Sequence, residues 1–161
     1  MEYDKDPTFK VKTIVKKSNI EGAGRGRFVL EDCKKGTIIR KSKIDEDLII
    51  FNNLEELSSF YNKSEENVDR IENFAWSNKT KVNKVFLYNN HFFYNFGFSY
   101  NFEHEFTDNY YLAYCNQDLK SGDELLGNYL SYPKIEWFKN FMISKNKKCP
   151  RMFAESLQNS M

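Results

Sequence analysis

The sequence is short of the residues that usually settle a functional class. Its three cysteines, Cys33, Cys115 and Cys149, are an odd number at wide spacing with no Cys-x-x-Cys pair, which excludes a disulfide framework or a cysteine zinc cluster. Reduced thiols and, with no secretory leader in the sequence, an intracellular setting, nuclear or cytoplasmic, are expected. The two histidines, His91 and His104, stand at no metal-binding spacing with each other or with a cysteine, and Glu103-His104-Glu105 reads as an exposed polar turn. Spacing suggests no Ser-His-Asp or Cys-His pairing. No run of about 18 apolar residues occurs, so no transmembrane span and no membrane partner are expected. An excess of one charge is also missing: 24 Lys and Arg face 23 Asp and Glu, for a formal net charge of +1. The basic residues are spread along the chain, which argues against direct nucleic-acid binding. The local runs Lys10 to Lys17 and Lys145 to Arg151 read as solvated flanks. There is no Gly-Lys-Ser/Thr for a phosphate loop, and Gly22-Ala-Gly-Arg-Gly26 lacks the spacing of a dinucleotide fingerprint.

What the chain does have is aromatic bulk. Aromatic residues are 17% of 161, within a hydrophobic share of 40%, so one domain with an aromatic-rich core needs no staple. Phe9 to Val15 alternates apolar and polar positions, the period of a half-buried strand. Ser18 to Arg27 brings glycines at alternate positions before the apolar Phe28-Val-Leu, a loop whose backbone can approach another group closely. Thr37 to Ile44 reads as the next strand. Asn53 is placed to cap a helix over Leu54 to Tyr61, and Ser64 one over Glu65 to Phe74. Strands resume at Lys84 to Tyr88 and Tyr110 to Cys115, and Pro133 to Met142 reads as an amphipathic helix. The fold class is therefore mainly β with short helices (α+β).

Leu119 to Tyr129 combines a polar turn, Lys120-Ser-Gly-Asp, with an extended segment that ends on Tyr129 ahead of Pro133. A phenol held at a strand end is either a core side chain with a satisfied hydroxyl or a reactive group aimed into a cleft. The stretch alone leaves both open.

The order of these pieces carries more. Ile20-Glu-Gly-Ala-Gly-Arg-Gly-Arg-Phe-Val-Leu-Glu-Asp-Cys-Lys-Lys-Gly-Thr-Ile-Ile39 resembles the opening of a SET domain, the fold of most protein lysine methyltransferases. Asp118-Leu-Lys-Ser-Gly-Asp-Glu-Leu-Leu-Gly-Asn-Tyr129 is similar to that family's closing motif, where a Gly-Glu-Glu-Leu turn leads to the catalytic tyrosine. The resemblance runs from about Phe9 to Trp137. It implies a SET-domain β-clip fold of several small sheets with a threaded C-terminal segment and a C-terminal helix. It also implies a single domain over 9–144, with a variable insert at 45–84 and a C-terminal helix at 133–144. A flexible 1–8 precedes it and a mobile tail at 145–161 follows.

The same resemblance implies S-adenosyl-L-methionine as cofactor, a protein or peptide lysine such as one on a histone as substrate, and Tyr129 as the catalytic residue. Gly24, Arg25 and Gly26 are expected along the methionine part of the cofactor. The family's Asn-His-Ser-Cys-x-Pro-Asn segment corresponds to Gly97-Phe-Ser-Tyr-Asn-Phe-Glu103, in which Ser99 and Asn101 match and the Asn-His pair is replaced by Gly97 and Phe98. Those two positions are expected to contact the cofactor through backbone alone. Lost hydrogen bonds of about 1.5–3 kcal/mol each imply an affinity lower by roughly ten- to a hundredfold, which an Asn-His replacement is expected to restore. The family's zinc cysteines have no counterpart, so no metal is expected. The competing expectation is a SET-fold protein-interaction module that is catalytically impaired.

Overall fold

A computed structural model describes residues 6–89, 95–97 and 99–161. In chain order the elements are β1 (Thr13–Lys17), β2 (Arg25–Val29), β3 (Ile38–Lys43), α1 (Ile44–Asp47), β4 (Leu48–Phe51), α2 (Leu54–Tyr61), α3 (Glu65–Phe74), β5 (Trp76–Ser77) and β6 (Val85–Tyr88). They continue with β7 (Asn95–Phe96), β8 (Phe102–Phe106), β9 (Tyr110–Cys115), β10 (Leu126–Gly127), a 3-10 turn (Tyr129–Ser131), α4 (Glu136–Ser144) and α5 (Pro150–Asn159). The fold is a SET-like α+β arrangement of small sheets and short helices. The chain divides into two compact units, 1–47 with 90–128 and 48–89 with 129–161.

In the first unit β1 and β2 form an antiparallel hairpin in which Thr13 faces Val29 and Lys17 faces Arg25. β3, β9 and β8 form an antiparallel sheet, and β7 pairs in parallel with β10. The alternation read from Tyr110 to Cys115 is real: Tyr111, Ala113 and Cys115 are buried and the residues between them only partly so. The first strand starts later than the apolar alternation suggests. Asp6 accepts the Thr8 backbone N–H and hydroxyl, and Phe9 makes only an isolated bridge to Arg40. Two buried guanidinium groups stand over the Phe9 ring, Arg27 at 4.1 Å and Arg40 at 4.6 Å from its centre. Arg40 also pairs with Asp6 at 3.4 Å and donates to Thr8 Oγ1 at 2.9 Å. Residues 6–8 of the expected flexible N-terminus are thus tied down; residues 1–5 lie outside the described part.

In the second unit β4, β6 and β5 form one antiparallel sheet. The two expected helices start where their caps predict: Asn53 Oδ1 accepts the Glu56 N–H at 2.9 Å and Ser64 Oγ accepts the Asn67 N–H at 3.1 Å. Each such cap is worth about 1 kcal/mol. Leu57, Tyr61 and Ile71 from these helices pack with Val85, Leu87, Ile135, Phe138, Phe141 and Met142 in one apolar core. Phe138 is thus a core side chain, with Trp137 packed beside it. Residues 145–161, expected to be a tail, contain helix α5. Pro150 suits its first turn because the missing N–H is one that no helix satisfies internally, and Ala154 and the N-cap Cys149 are buried.

Candidate functional site

The glycine loop joins β1 to β2 and lines an open cleft of about 890 Å³ formed by Lys17, Ser18, Asn19, Ile20, Glu21, Gly22, Gly24 and Arg25. That volume lies in the range of small-molecule sites, roughly 300–1,000 Å³. Gly24 has φ +74°, a backbone state that a side chain would strain, and nothing stands within 4 Å of where its Cβ would be. Of the three loop residues singled out by sequence, Gly24 and Arg25 line the cleft. Gly26 does not: it is buried in the β2 ladder opposite Lys16. The wall carries both signs of charge, with Lys17 and Arg25 against Glu21.

The loop is held by a residue the motif reading passed over. Glu124 is 7% exposed, and its carboxylate accepts the Ser18 hydroxyl at 2.9 and 2.8 Å and the Asn19 backbone N–H at 3.0 Å. Ser18 Oγ in turn accepts the Ile20 N–H at 3.0 Å. Hydrogen bonds to a charged group are worth about 1.5–3 kcal/mol, so the loop is pinned at its N-terminal side. The backbone of Glu124 makes an isolated bridge to Phe28, and its carbonyl accepts the Asn101 side-chain amide at 2.8 Å. Asn101 Oδ1 accepts the Leu126 N–H at 2.9 Å. The match at Asn101 therefore serves to fasten the closing motif. The available sequence signal for Glu124 was its place in Gly122-Asp-Glu-Leu.

Gly97 donates its N–H to the Gly127 carbonyl at 3.2 Å, extending the β7–β10 pairing. A Cβ at this position would stand 2.9 Å from both Cβ and Cδ1 of Leu126. The missing side chain is therefore required by packing. An asparagine at this position can be accommodated only if Leu126 or the backbone shifts. Phe98, the other position read as cofactor-binding, lies outside the described residues.

Tyr129 belongs to the second unit and is described within it. The turn before it is as read: Asp123 N–H donates to the Lys120 carbonyl at 2.9 Å, and Gly122 takes φ +100°. The strand is not, because β10 ends at Gly127 and Tyr129 opens a 3-10 turn, its carbonyl accepting the Tyr132 N–H at 3.1 Å. The Tyr129 ring stacks on Tyr132 at 5.6 Å and lies 6.4 Å from Phe153 of α5. Desolvation pushes its hydroxyl well above the ordinary tyrosine value, so the phenol is neutral throughout the physiological range.

Glu103-His104-Glu105 is a strand, not the expected turn. It lies on β8, with His104 stacked on Tyr111 at 4.7 Å. Desolvation, helped by the Arg40 charge, lowers the His104 pKa to about 3. Among the described residues no group of His, Cys, Asp and Glu is arranged to hold a metal ion.

No protein-family model and no curated protein matches the chain. Solved structures do. Chaetomium thermophilum Polycomb Repressive Complex 2 matches with a TM-score of 0.58 at 15% identity over 83% of this chain. The same complex in an autoinhibited conformation bound to S-adenosylmethionine matches with a TM-score of 0.56 at 18% identity, again over 83%. This chain spans only 17% of the length of each of those chains. At such identities the likeness establishes the fold alone, a SET-like α+β fold.

Proposed function

We propose that the chain is an S-adenosylmethionine-dependent protein lysine N-methyltransferase, acting on a lysine side chain of a protein, with histones the first substrates to try. The observation that carries this reading is the double use of one segment. Glu124 holds the glycine loop at its cleft, and a few residues further on the same segment presents Tyr129 as a half-buried phenol whose pKa is raised, so that it stays neutral. The donor set suits the cofactor's zwitterionic methionine end: Glu21 would meet its ammonium, Lys17 or Arg25 its carboxylate, and the backbone of Gly24 and Arg25 would lie alongside. When bound, the cofactor supplies an electrophilic methyl group on a sulfonium.

The lysine nucleophile must be neutral, which costs roughly 4.6 kcal/mol at pH 7 for an amine of pKa about 10.4. An aromatic surrounding reduces that cost by disfavouring the ammonium, and Tyr129, Tyr132 and Phe153 supply such rings. A phenol that stays protonated is a poor base. Its role is to hold the amine nitrogen in line through its hydroxyl.

The experiment is calorimetric titration with S-adenosylmethionine alongside methyl transfer to a core-histone mixture. The wild type binds and transfers, whereas Tyr129→Phe lowers kcat by about a hundredfold with cofactor affinity unchanged. The value of kcat/KM climbs with pH toward the free lysine's pKa of about 10.4 with no inflection from Tyr129 on the way, because its pKa is raised. No heat at millimolar cofactor sinks the enzyme reading. It would favour the second one, a SET-fold interaction module without methyl transfer, which is supported by the way Leu126 occupies the space that a side chain at Gly97 needs.

A further inference from the structure

Helix α5 carries no family motif, yet it reaches the turn that presents Tyr129. Arg151, in its first turn, donates through Nη1 to the Leu130 carbonyl and, at 3.4 Å, to the Tyr132 carbonyl. Its Nε donates to Glu155 at 2.8 Å, and Glu155 is also paired with Lys134 Nζ at 2.8 Å. The guanidinium is thus held by a carboxylate while it serves two backbone carbonyls, a task that suits its planar set of five donors better than the ammonium of a lysine. Carbonyls at the end of a one-turn helix have no continuing helix to satisfy them, and at Leu130 and Tyr132 the Arg151 side chain does so. Two residues further along α5, Phe153 sets its ring beside that of Tyr129.

We infer that Arg151 is a positioning residue for Tyr129: it fixes the Tyr129–Ser131 turn through the carbonyls of Leu130 and Tyr132, and thereby the direction of the phenol. The inference rests on the reading of Tyr129 as the catalytic phenol. Arg151 would act on kcat and not on cofactor binding, because its hydrogen bonds go to Leu130, Tyr132 and Glu155 around the Tyr129 turn.

The test compares wild type, Arg151→Ala and Arg151→Lys using labelled S-adenosylmethionine and core histones, with cofactor affinity measured by calorimetry. Arg151→Ala is expected to lower kcat by about ten- to a hundredfold while the cofactor Kd stays within about twofold, and Arg151→Lys to recover part of the loss. Full kcat in Arg151→Ala, or a cofactor affinity that falls in step with kcat, overturns the inference. If Arg151→Ala does not fold, Glu155→Gln, which removes the carboxylate orienting the guanidinium, should give the same split at smaller size. An unmoved kcat in that variant overturns it equally. If the wild type transfers no methyl group, the functional reading fails separately. Positioning is then read from NMR of ring-labelled tyrosine, with Tyr129 assigned by its absence in Tyr129→Phe. A displaced Tyr129 signal in Arg151→Ala supports the inference, and an unchanged one overturns it.

Discussion

Gly97 shows how a single position can be legible in identity and opaque in cause. Sequence comparison with the SET pattern marks it as the place where an asparagine is missing, and reads that as lost binding. In the structure the space is filled by Leu126, whose Cβ is fixed to the backbone of β10 as it pairs with β7. Unlike the tip of a flexible side chain, that atom cannot swing aside. Gly97→Asn alone is therefore expected to destabilise the protein by about 1–3 kcal/mol, seen in a urea midpoint, without improving cofactor affinity. Gly97→Asn combined with Leu126→Gly removes the obstructing atoms, and calorimetry should then show the affinity rise that the single change withholds. A gain from the single variant would mean that Leu126 yields easily. Glu124 was similarly visible as a motif letter, but its partner Ser18 was not, because the two are 106 residues apart in sequence.

At the scale of elements, local signals held where the cause was local. The caps at Asn53 and Ser64 set the starts of α2 and α3, and alternation set the inward faces of β9. They failed where a neighbour decides: β10 is only a two-residue strand, and α5 forms in a stretch with no motif, joined to the 3-10 turn by Arg151. Glu103-His104-Glu105 looks like a polar loop and becomes β8 because β9 pairs along its length. That placement carries a pH signature. In the unfolded chain His104 gains a proton near pH 6.5, whereas the folded protein resists protonation down to about 3, through desolvation first and the Arg40 charge second. The contribution is fully present above pH 6.5 and is lost as pH falls through that window, since the unfolded state binds the extra proton. Urea midpoints should drop between about pH 7 and 5, where carboxylates remain largely ionised, and His104→Phe should flatten the drop. Equal slopes in the two proteins would rule this contribution out.

For the whole molecule, each of the two compact units is built from two separate stretches of chain, so the backbone passes between them at 47–48, 89–90 and 128–129. Neither unit exists as one contiguous piece, and a single cooperative transition is expected. Both tryptophans, Trp76 and Trp137, lie in the second unit, so their emission follows that unit alone while far-UV circular dichroism follows both. Coincident midpoints are the expected result; separate ones would show independent unfolding. The sequence by itself determined the secondary-structure periods, the helix starts, and the glycine-loop and tyrosine motifs, because each depends on residues within a few positions of one another. Only the tertiary structure decided that Glu124 holds the glycine loop, that Gly97 has no room for a side chain and that Arg151 reaches the turn of Tyr129. Those are contacts between distant residues. Their strength depends on distances and on water exclusion, which exist only once the chain has folded.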